Sequence, residues 1–449
     1  DISSLKMAAP VMVNEMEKLG QIQGGMREVE TGMRELLRQV GGEALGRYLE
    51  RVDQVEPIEK TKPCECGGVR TYQFRREAVI LSVFGRVSYK RRYYTCSSCG
   101  IGQAPLDKQL SISAGEVTSG LAELLALAGV EVAFEEASRF IERFLLFRVS
   151  DNTLRKETEQ FGALQKDREE EWKQQSQDEV WLQARLQQVG QQAGRFYGSI
   201  DGVMAPCKGE WRELKNIAWY LVEPVRSYQP HRHHASQIGE QSDLQAQEIT
   251  YHCDMQTPDQ FSSLFWATAC QRKADLYDEV VFVCDGAVWI WKLIERHFPH
   301  AVQIVDWYHA SEYLPPIAEA VFGQDTPAYH DWLDQMRSQL WEGQIDALIH
   351  DCLLYASHPS AAIAVQRAVS YFSHNLKRMD YARFRQLGYF IGSGTVESAG
   401  KQIAGLRLKR AGARWTETGA VATAKARAAW LSDHWDDLAA RRASLPLAA

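Results

Sequence analysis

The chain has 449 residues, 45% of them hydrophobic and 24% charged, and its formal net charge at pH 7 is −7. This length predicts roughly two to four domains, and no apolar run approaches the roughly 18 residues that a membrane span needs. The nine cysteines are not densely and evenly spaced, and the chain shows no signal-peptide pattern at its start. Both features disfavour a secreted disulfide scaffold and indicate a reducing, intracellular setting.

After an N-terminal helical segment over residues 1–55, two close cysteine pairs stand in residues 56–110. The pairs are Cys64 with Cys66 and Cys96 with Cys99. Four thiolates paired in this way close a tetrahedral zinc site, and the glycines after each pair let the backbone turn toward the metal. The spacing therefore predicts a zinc ribbon with a structural Zn²⁺. Four unrelated thiols are the less favoured alternative, although the first pair is tighter than the usual knuckle.

The same segment is strongly basic. Between Lys62 and Cys96 eight lysines and arginines face two glutamates, although the whole chain is acidic. Because contacts of Lys and Arg with phosphates dominate nucleic-acid affinity, we expect the hairpin of the ribbon to bind DNA. The expected contacts are Arg75, Arg76, Lys90, Arg91 and Arg92.

Residues 111–163 are typical of a helical domain. A helix from Val132 to Phe144, a short break and a second helix capped by Ser150 or Asp151 resemble a helix-turn-helix. In that interpretation Thr153, Arg155 and Lys156 face a DNA groove. A plain helical hairpin is an equally good interpretation. The glutamine-rich residues 164–195 then predict a polar helical linker, open also to a role in self-association.

Three carboxylates carry the strongest chemical signal. Two strand-like apolar runs end in Asp201-Gly and Asp285-Gly, and Glu397 follows Ser393 in the first turn of a predicted helix that continues to Arg407. Three such oxygen ligands can hold two Mg²⁺ or Mn²⁺ ions for phosphodiester chemistry. For any one of them a turn or a helix-dipole contact is the simpler explanation, and their joint occurrence favours the metal site.

Between Asp285 and Glu397 lie two further features. One is Asp306-Trp-Tyr-His309, in which a helix that begins at Asp306 puts the carboxylate and His309 on one face; a capping Asp is the alternative. The other is helical periodicity over residues 312–390, which predicts an all-helical insertion. Its apolar positions are Trp332, Met336, Leu340, Trp341, Ile345 and Leu348.

A second basic stretch follows Glu397, with seven lysines and arginines against one glutamate between Lys401 and Arg427. It predicts a DNA-binding surface on the core's C-terminal helix and basic tail, residues 391–449. The expected contacts are Lys401, Arg407, Lys409, Arg410 and Arg414. We do not assign a metal to His231, His233 and His234, because clustered histidines in a polar loop are usually exposed to solvent.

The order of Asp201, Asp285, Asp306-Trp-Tyr-His309 and Glu397 resembles the catalytic core of DDE transposases, particularly the Mutator-like group. Over most of its length the chain is similar to bacterial insertion-sequence transposases of the ISKra type. The resemblance implies that Asp201, Asp285 and Glu397 bind the catalytic metals and that His309 lies near the scissile phosphate. The gap between Asp285 and Glu397 is wider than in compact integrases, which agrees with an insertion.

The expected fold is therefore multidomain α/β. A zinc ribbon and a helical DNA-binding domain precede a ribonuclease-H-like core, a mixed sheet flanked by helices, whose first part is residues 196–311 and which the helical insertion interrupts. The expected function is DNA transposition by metal-dependent strand cleavage and strand transfer. The resemblance implies transposon ends and target DNA as partners, a homodimer or larger assembly, and a cytoplasmic, nucleoid-associated location in bacteria.

Two alternatives stay open. One is a ribonuclease-H-like nuclease that hydrolyses nucleic acid without joining strands. The other is a non-catalytic zinc-ribbon DNA-binding protein derived from a transposase. Retention of all three carboxylates argues against the second, because buried carboxylates close to one another are costly to keep without a use.

Overall fold

A computed structural model of the chain describes residues 13, 25–55, 57–112, 115–224, 244–392, 394 and 399–445. The chain divides into two compact units: unit 1 is Asp1–Leu164 with His434–Ala449, and unit 2 is Gln165–Asp433. Within the described ranges, no helix has the length and apolar character that crossing a bilayer requires.

The elements are numbered in chain order. They are α1 (Met26–Gln54), β1 (Thr61–Pro63), β2 (Val69–Ser82), β3 (Gly85–Cys96), β4 (Gly102–Gln103), α2 (Pro105–Leu110), α3 (Ser119–Glu131), α4 (Phe134–Leu145), α5 (Asp151–Gln175), α6 (Glu179–Val189), β5 (Gln192–Cys207), β6 (Glu210–Pro224), β7 (Leu244–Asp254), α7 (Pro258–Gln271), β8 (Tyr277–Cys284), α8 (Val288–His297), β9 (Val302–Val305), α9 (Trp307–Ser311), α10 (Pro315–Phe322), α11 (Pro327–Trp341), α12 (Ile345–Leu353), α13 (Ala362–Asn375), α14 (Tyr381–Gln386), a π-helix (Gly400–Leu408), α15 (Glu417–Leu431) and α16 (Trp435–Ser444).

Unit 1 contains an antiparallel sheet of four strands in the order β1-β2-β3-β4. Its long β2–β3 hairpin turns at Gly85, whose φ of +91° suits glycine. Alternating residues of the hairpin, such as Ile80 and Tyr89, are buried against Leu49 of α1 and Leu106 of α2. The period of two puts one face of the sheet in this core and leaves the other face with solvent.

Three helices, α3, α4 and the start of α5, form a second cluster in unit 1. Leu121 and Leu125 of α3 pack with Ile141 of α4 and Leu154 of α5. The Ser150 hydroxyl accepts a hydrogen bond from the Thr153 N–H at 3.1 Å and so caps α5. The helix, the break and the capped second helix lie close to where the sequence predicts them.

Unit 2 is built on a mixed sheet of five strands in the order β7-β6-β5-β8-β9. Strand β6 pairs antiparallel with both β5 and β7, whereas β8 pairs parallel with both β5 and β9. Aromatic side chains fill the space between the sheet and α7 and α8, where Trp219 contacts Phe265, Phe282 and Phe298. Multidomain α/β architecture, with a mixed sheet flanked by helices, is thus confirmed.

The residues between Glu312 and Tyr389, all of them described, contain helices and no strand. The apolar positions identified from periodicity pack inside this segment, with Met336, Leu340 and Leu348 fully buried. Trp341 is half-buried and lies edge-on to Trp307 of α9. The helical insertion therefore has its own apolar core.

Residues 164–195 differ from the solvated linker that the composition predicts. The end of α5 and all of α6 belong to unit 2, where Glu169, Trp172 and Arg185 are buried. Arg185 of α6 bonds to the carbonyl oxygen of Cys270 and forms an ion pair with Asp275. A few buried side chains among many exposed glutamines attach these helices to unit 2. The average composition of the segment does not show those few residues.

Candidate functional site

Three aspartates lie on, or directly after, three neighbouring strands of unit 2. The parallel register pairs Gly198 with Phe282, and continuing it three residues along each strand brings Asp201 level with Asp285. Cys284 pairs with Val305, so the next residues, Asp285 and Asp306, are level as well. Neighbouring strands are roughly 4.8 Å apart, so the register gathers the three carboxylates at one end of the β5-β8-β9 part of the sheet.

Asp201 does not end its strand, which corrects the expectation from sequence. Strand β5 continues through Asp201 to Cys207 because it forms a long hairpin with β6, in which Asp201 pairs with Asn216. Asp285 does directly follow the last residue of β8. The first carboxylate therefore projects from the middle of a rigid hairpin and the second from a strand end.

The buried thiol of Cys284 lies near all three carboxylates. Burial raises its pKa well above the ordinary value, and the charges of Asp285, Asp201 and Asp306 raise it further. The Cys284 Sγ accepts a hydrogen bond from the N–H of Ile200 at 3.4 Å, which ties β8 to β5 just before Asp201. Cys284 is thus a buried residue of β8 that links β8 to β5 close to the three aspartates.

The turn after β8 is held by a tyrosine of the helical insertion. Asp285 Oδ1 accepts a hydrogen bond from the Ala287 N–H at 2.9 Å, and the Tyr371 hydroxyl donates to the main-chain oxygen of Asp285 at 2.7 Å. Gly286 has a φ of +96°, and a Cβ there would lie 2.9 Å from Tyr371. The Tyr371 ring also stacks on Tyr313, with centroids 4.1 Å apart. The insertion therefore fixes the conformation of the Asp285 turn.

Asp306 acts as a helix cap. It is fully buried, and its Oδ1 accepts a hydrogen bond from the backbone N–H of His309 at 2.6 Å. The His309 ring instead lies near Glu312, with Nδ1 3.8 Å from Oε2, and 6.3 Å from the ring of Tyr371. The capping alternative for Asp306 is therefore confirmed, while the imidazole is left facing the insertion.

Glu397 and its predicted cap Ser393 lie outside the described residues. The chain is described again from Ala399, and Gly400 opens the π-helix. A Cβ added at Gly400 would lie 2.6 Å from Val203 Cγ2 and 3.2 Å from Asp201 Oδ2. The residue three positions after Glu397 thus packs directly against the Asp201 carboxylate, and π-helices occur frequently at functional sites.

Two cavities share Tyr313 and Arg367 in their linings, and one of them opens beside the Asp285 turn. One, of about 540 Å³, is lined by Gly286, Tyr371 and His374 among others, and the second, of about 480 Å³, is lined by His309 and Glu312. Both are also lined by Tyr313 and by Arg367, an exposed cation of α13. Arg367 therefore puts a positive charge in the wall of both cavities.

The aspartates do not by themselves complete a metal site. Among the described residues, the one group of three or more potential ligands whose atoms all lie within 4.8 Å of one another is formed by cysteines. Its members are Cys64, Cys66, Cys96 and Cys99. Asp201 and Asp285 therefore need at least one further ligand to hold divalent cations.

The four cysteines fit a zinc ion. Sγ of Cys64 lies 3.8 Å from that of Cys99, and Sγ of Cys66 lies 3.7 Å from that of Cys96. A tetrahedron with Zn–S bonds of about 2.3 Å has S–S edges of about 3.8 Å. Backbone N–H groups of Cys99 and Ser98 point at Cys96 and lower its pKa to about 6. These residues could hold a structural zinc, as the spacing predicts.

Two of the hairpin residues predicted to contact DNA, Arg91 and Arg92, are buried, so the prediction is wrong for them. Arg91 is buried and donates to both carboxylate oxygens of Asp107 at 2.7 and 2.8 Å. Arg92 is buried against Asp53, which also accepts a hydrogen bond from half-buried Arg75. The acidic partners come from α1 and α2, which cover this part of the sheet. Arg76 and Lys90 remain exposed on the strands.

The basic stretch after Glu397 divides in the same way. Arg407 is buried, with its guanidinium 4.9 Å from the ring centroid of Trp415, and Lys425 and Arg427 are buried as well. Lys401, Lys409 and Arg414 are exposed, whereas Arg410 is half-buried. Arg407 therefore cannot contact DNA as predicted, because its side chain packs inside unit 2.

The start of α5 leaves its polar residues accessible. Arg155 and Lys156 are exposed and Thr153 is half-buried. The Arg155 guanidinium forms an ion pair with Glu159 at 2.9 Å and a hydrogen bond with Asn152 at 2.7 Å. These contacts are compatible with a groove-facing helix and with a plain helical hairpin. The helix-turn-helix therefore stays a prediction. His231, His233 and His234 lie outside the described residues.

Sequence reasoning missed Tyr371 and Gly400. Both are far from Asp285 and Asp201 along the chain, and nothing in the local sequence of either residue shows that they meet. A tyrosine in a helix normally predicts core packing, and a glycine at a helix start normally predicts only backbone freedom.

Comparison with known proteins finds a match to a protein family whose function is not described. Residues 23–232 match the sequence model of an uncharacterised protein family, UPF0236. The matched range includes the four cysteines, the three-helix cluster and Asp201, and it ends before Asp285. No curated protein matches the chain.

Proposed function

We propose that this protein is a DNA transposase that cleaves DNA strands and transfers them, with Asp201, Asp285 and Glu397 as ligands of two Mg²⁺ or Mn²⁺ ions. One observation carries the proposal: the strand register brings Asp201 level with Asp285, and Gly400, three residues after Glu397, packs against the Asp201 carboxylate. This convergence of Asp201, Asp285 and Gly400, which are distant in sequence, supports a phosphodiester site that needs several oxygen ligands.

The strand topology supports a ribonuclease-H-like core. Numbered within unit 2, the strands have the spatial order 3-2-1-4-5, in which the first three are antiparallel and the fourth and fifth join in parallel. The carboxylates then stand on the first strand and just after the fourth. This arrangement is the one expected of a ribonuclease-H-like catalytic domain with a helical insertion before its last carboxylate.

The chain's own groups would orient the reacting strand. Divalent ions at this site supply activation of the attacking oxygen and stabilisation of the leaving oxygen in an in-line displacement. Arg367, which lines both cavities, would bind the phosphate next to the cleaved bond, and His309 would donate a hydrogen bond to a phosphate oxygen. Tyr371 would keep the Asp285 turn in place while DNA enters.

The test is cleavage and joining of labelled DNA that carries candidate element ends, with Mg²⁺, with Mn²⁺ and with EDTA. Asp285→Asn keeps the shape of the side chain and removes its charge. Asp278→Asn, an exposed aspartate at the start of the same strand β8, is the matched control. We expect metal-dependent nicking that is lost in Asp285→Asn and kept in Asp278→Asn.

A second arm separates the alternatives. A pre-nicked substrate with a free 3′-hydroxyl and a supercoiled target plasmid would give joined products with a transposase and only hydrolysis with a nuclease. DNA binding without any metal-dependent nicking in the parent protein would contradict both enzymatic functions and leave the DNA-binding protein.

A further inference from the structure

A cavity of about 350 Å³ opens in unit 1 beside the four cysteines, at a place that neither the zinc site nor the carboxylates use. Strands β1, β2 and β3, the end of β4, and α2 surround it. Its polar and aromatic lining residues are Lys62, Arg70, Tyr94, Gln103, Lys108 and Gln109. Three of these six carry a positive charge and none carries a negative charge.

Arg70 is the least expected of them. Its relative exposure is 9%, and its Nε has no hydrogen-bond partner. Its one hydrogen bond is a long one, from Nη1 to the carbonyl oxygen of Pro63 at 3.5 Å. The exposed Glu65 carboxylate, whose pKa is lowered mainly by Lys108 and also by the charge of Arg70, interacts with it only at longer range. Burying a guanidinium without a directly bonded anion is unfavourable, so the site favours a negative group that arrives from outside.

The strand register sharpens this point. Lys62 on β1 pairs directly with Arg70 on β2. Like charges at directly opposite positions of an antiparallel pair destabilise the sheet. An anion between the two side chains would turn this repulsion into two attractions.

The two lysines at the rim are held only loosely. Lys62 lies 3.8 Å from Glu59, and Lys108 lies 3.1 Å from Glu65 in a pair whose side chains are 66% and 76% exposed. The exposed Lys108–Glu65 pair contributes little to stability and exchanges partners easily. The amides of Gln103 and Gln109 add neutral hydrogen-bond donors to the same wall.

We propose that this cavity binds a phosphate group. The Arg70 guanidinium donates from Nε and a terminal nitrogen to two phosphate oxygens, and Lys62 and Lys108 turn from their glutamates to the same group. A DNA backbone phosphate and a free phosphate ion share this chemistry. A phosphate of bound DNA would extend the contact surface of the hairpin, where Arg76 and Lys90 are exposed.

The experiment uses the full chain and three variants: Arg70→Gln, Lys108→Gln and, as the matched control, Lys60→Gln. Lys60 is an exposed lysine next to β1 that does not line the cavity. The dissociation constant for duplex DNA is measured between about 50 and 200 mM salt, and inorganic phosphate is titrated separately by calorimetry. Zinc content and thermal unfolding are followed in every variant, and Lys108→Gln carries the test if Arg70→Gln does not fold.

If DNA is the source of the phosphate, we expect the slope of log affinity against log salt to become shallower by about 0.9 in each cavity variant and to stay unchanged in Lys60→Gln. If free phosphate is the source, the DNA slopes stay equal, while inorganic phosphate binds the parent protein about tenfold more tightly than either cavity variant. The phosphate titration needs no strand cleavage, so it separates this proposal from the proposed transposase activity. Equal DNA slopes together with equal or absent phosphate binding would overturn the proposal.

Discussion

Tyr371 of the helical insertion donates its hydroxyl hydrogen bond to the main-chain oxygen of Asp285, at 2.7 Å. Asp285 follows strand β8 directly, whereas Tyr371 lies in α13 of the helical insertion, far from Asp285 along the chain. The insertion is therefore joined to the proposed catalytic turn by a defined contact, so its packing and the geometry of Asp285 depend on each other.

Removal of this hydroxyl should loosen the turn. Tyr371→Phe keeps the ring stacked on Tyr313 and leaves the Asp285 carbonyl without its donor, which costs about 1 kcal/mol. We expect a slightly lower midpoint of thermal unfolding. We expect the rate of strand cleavage to fall by more than this small loss of stability explains. The control is Tyr329→Phe, because the Tyr329 hydroxyl makes no hydrogen bond within the described residues. Equal activity in the two variants would contradict a positioning role for Tyr371.

The contact between Gly400 and Asp201 predicts intolerance of a single methyl group. In Gly400→Ala the new Cβ would lie 2.6 Å from Val203 Cγ2 and 3.2 Å from the Asp201 carboxylate. Such overpacking costs about 1–3 kcal/mol and should displace Asp201, which lowers cleavage. Gly405→Ala in the same π-helix is the control, because its Cβ would make only an ordinary 3.8 Å contact with Lys401. Chemical denaturation and nicking assays of both variants check this prediction.

The four-cysteine cluster predicts one zinc ion per chain. Zinc released by a thiol-modifying reagent and measured with a chromogenic chelator should reach that stoichiometry in the parent protein. Cys96→Ser should abolish it, because Cys96 is one of the four cysteines of the cluster, whereas Cys352→Ala should not, because Cys352 is not one of them. Metal removal should also lower the stability of unit 1, since structural zinc contributes directly to folding.

A buried ion-pair network predicts acid sensitivity of unit 2. Burial alone raises the pKa of Glu169, but the charge of Lys425 and a hydrogen bond with His252 outweigh it and lower the pKa to about 2. Because the folded-state pKa lies below the ordinary value of 4.5, the stabilisation is present above that pH and is lost as the pH falls toward 2. Denaturation midpoints measured across this window should fall steeply in the parent protein.

The same network predicts a large mutational effect. Lys425 bonds to Glu169 and lies 2.9 Å from Asp254, and all three are buried. Lys425→Met leaves two buried carboxylates without their positive partner and should lower the free energy of unfolding by about 3–5 kcal/mol. Loss of an exposed pair by Arg139→Met should cost less than about 0.5 kcal/mol. Similar urea midpoints for the two variants would show that the network contributes little.

The division of the basic hairpin into buried and exposed arginines can be tested in one experiment. Arg91→Gln removes the partner of buried Asp107 and should reduce the stability of unit 1 by several kcal/mol. Lys90→Gln, one residue earlier and exposed, should leave stability unchanged and make the salt dependence of DNA binding shallower by about 0.9. A normal unfolding midpoint for Arg91→Gln would contradict its structural role.

Local patterns in the sequence determined the elements and the chemistry available to them. The cysteine spacing predicted the four-thiolate cluster, the apolar period in residues 312–390 predicted the helical insertion, and the apolar run before Asp285 predicted β8. These features follow from short-range geometry, because ligand spacing, helical periodicity and strand length are properties of neighbouring residues.

Only the tertiary structure decided which charged side chains are buried and which distant residues meet. Arg91 and Arg407 have the same charge as Lys90 and Lys401, yet the first two are buried and the last two are exposed. The register of β5 on β8 brought Asp201 level with Asp285, and the packing of Gly400 on Asp201 and of Tyr371 on Asp285 joined segments far apart in the chain. Such contacts depend on how whole faces of helices and sheets fit together, and a linear pattern does not contain that information.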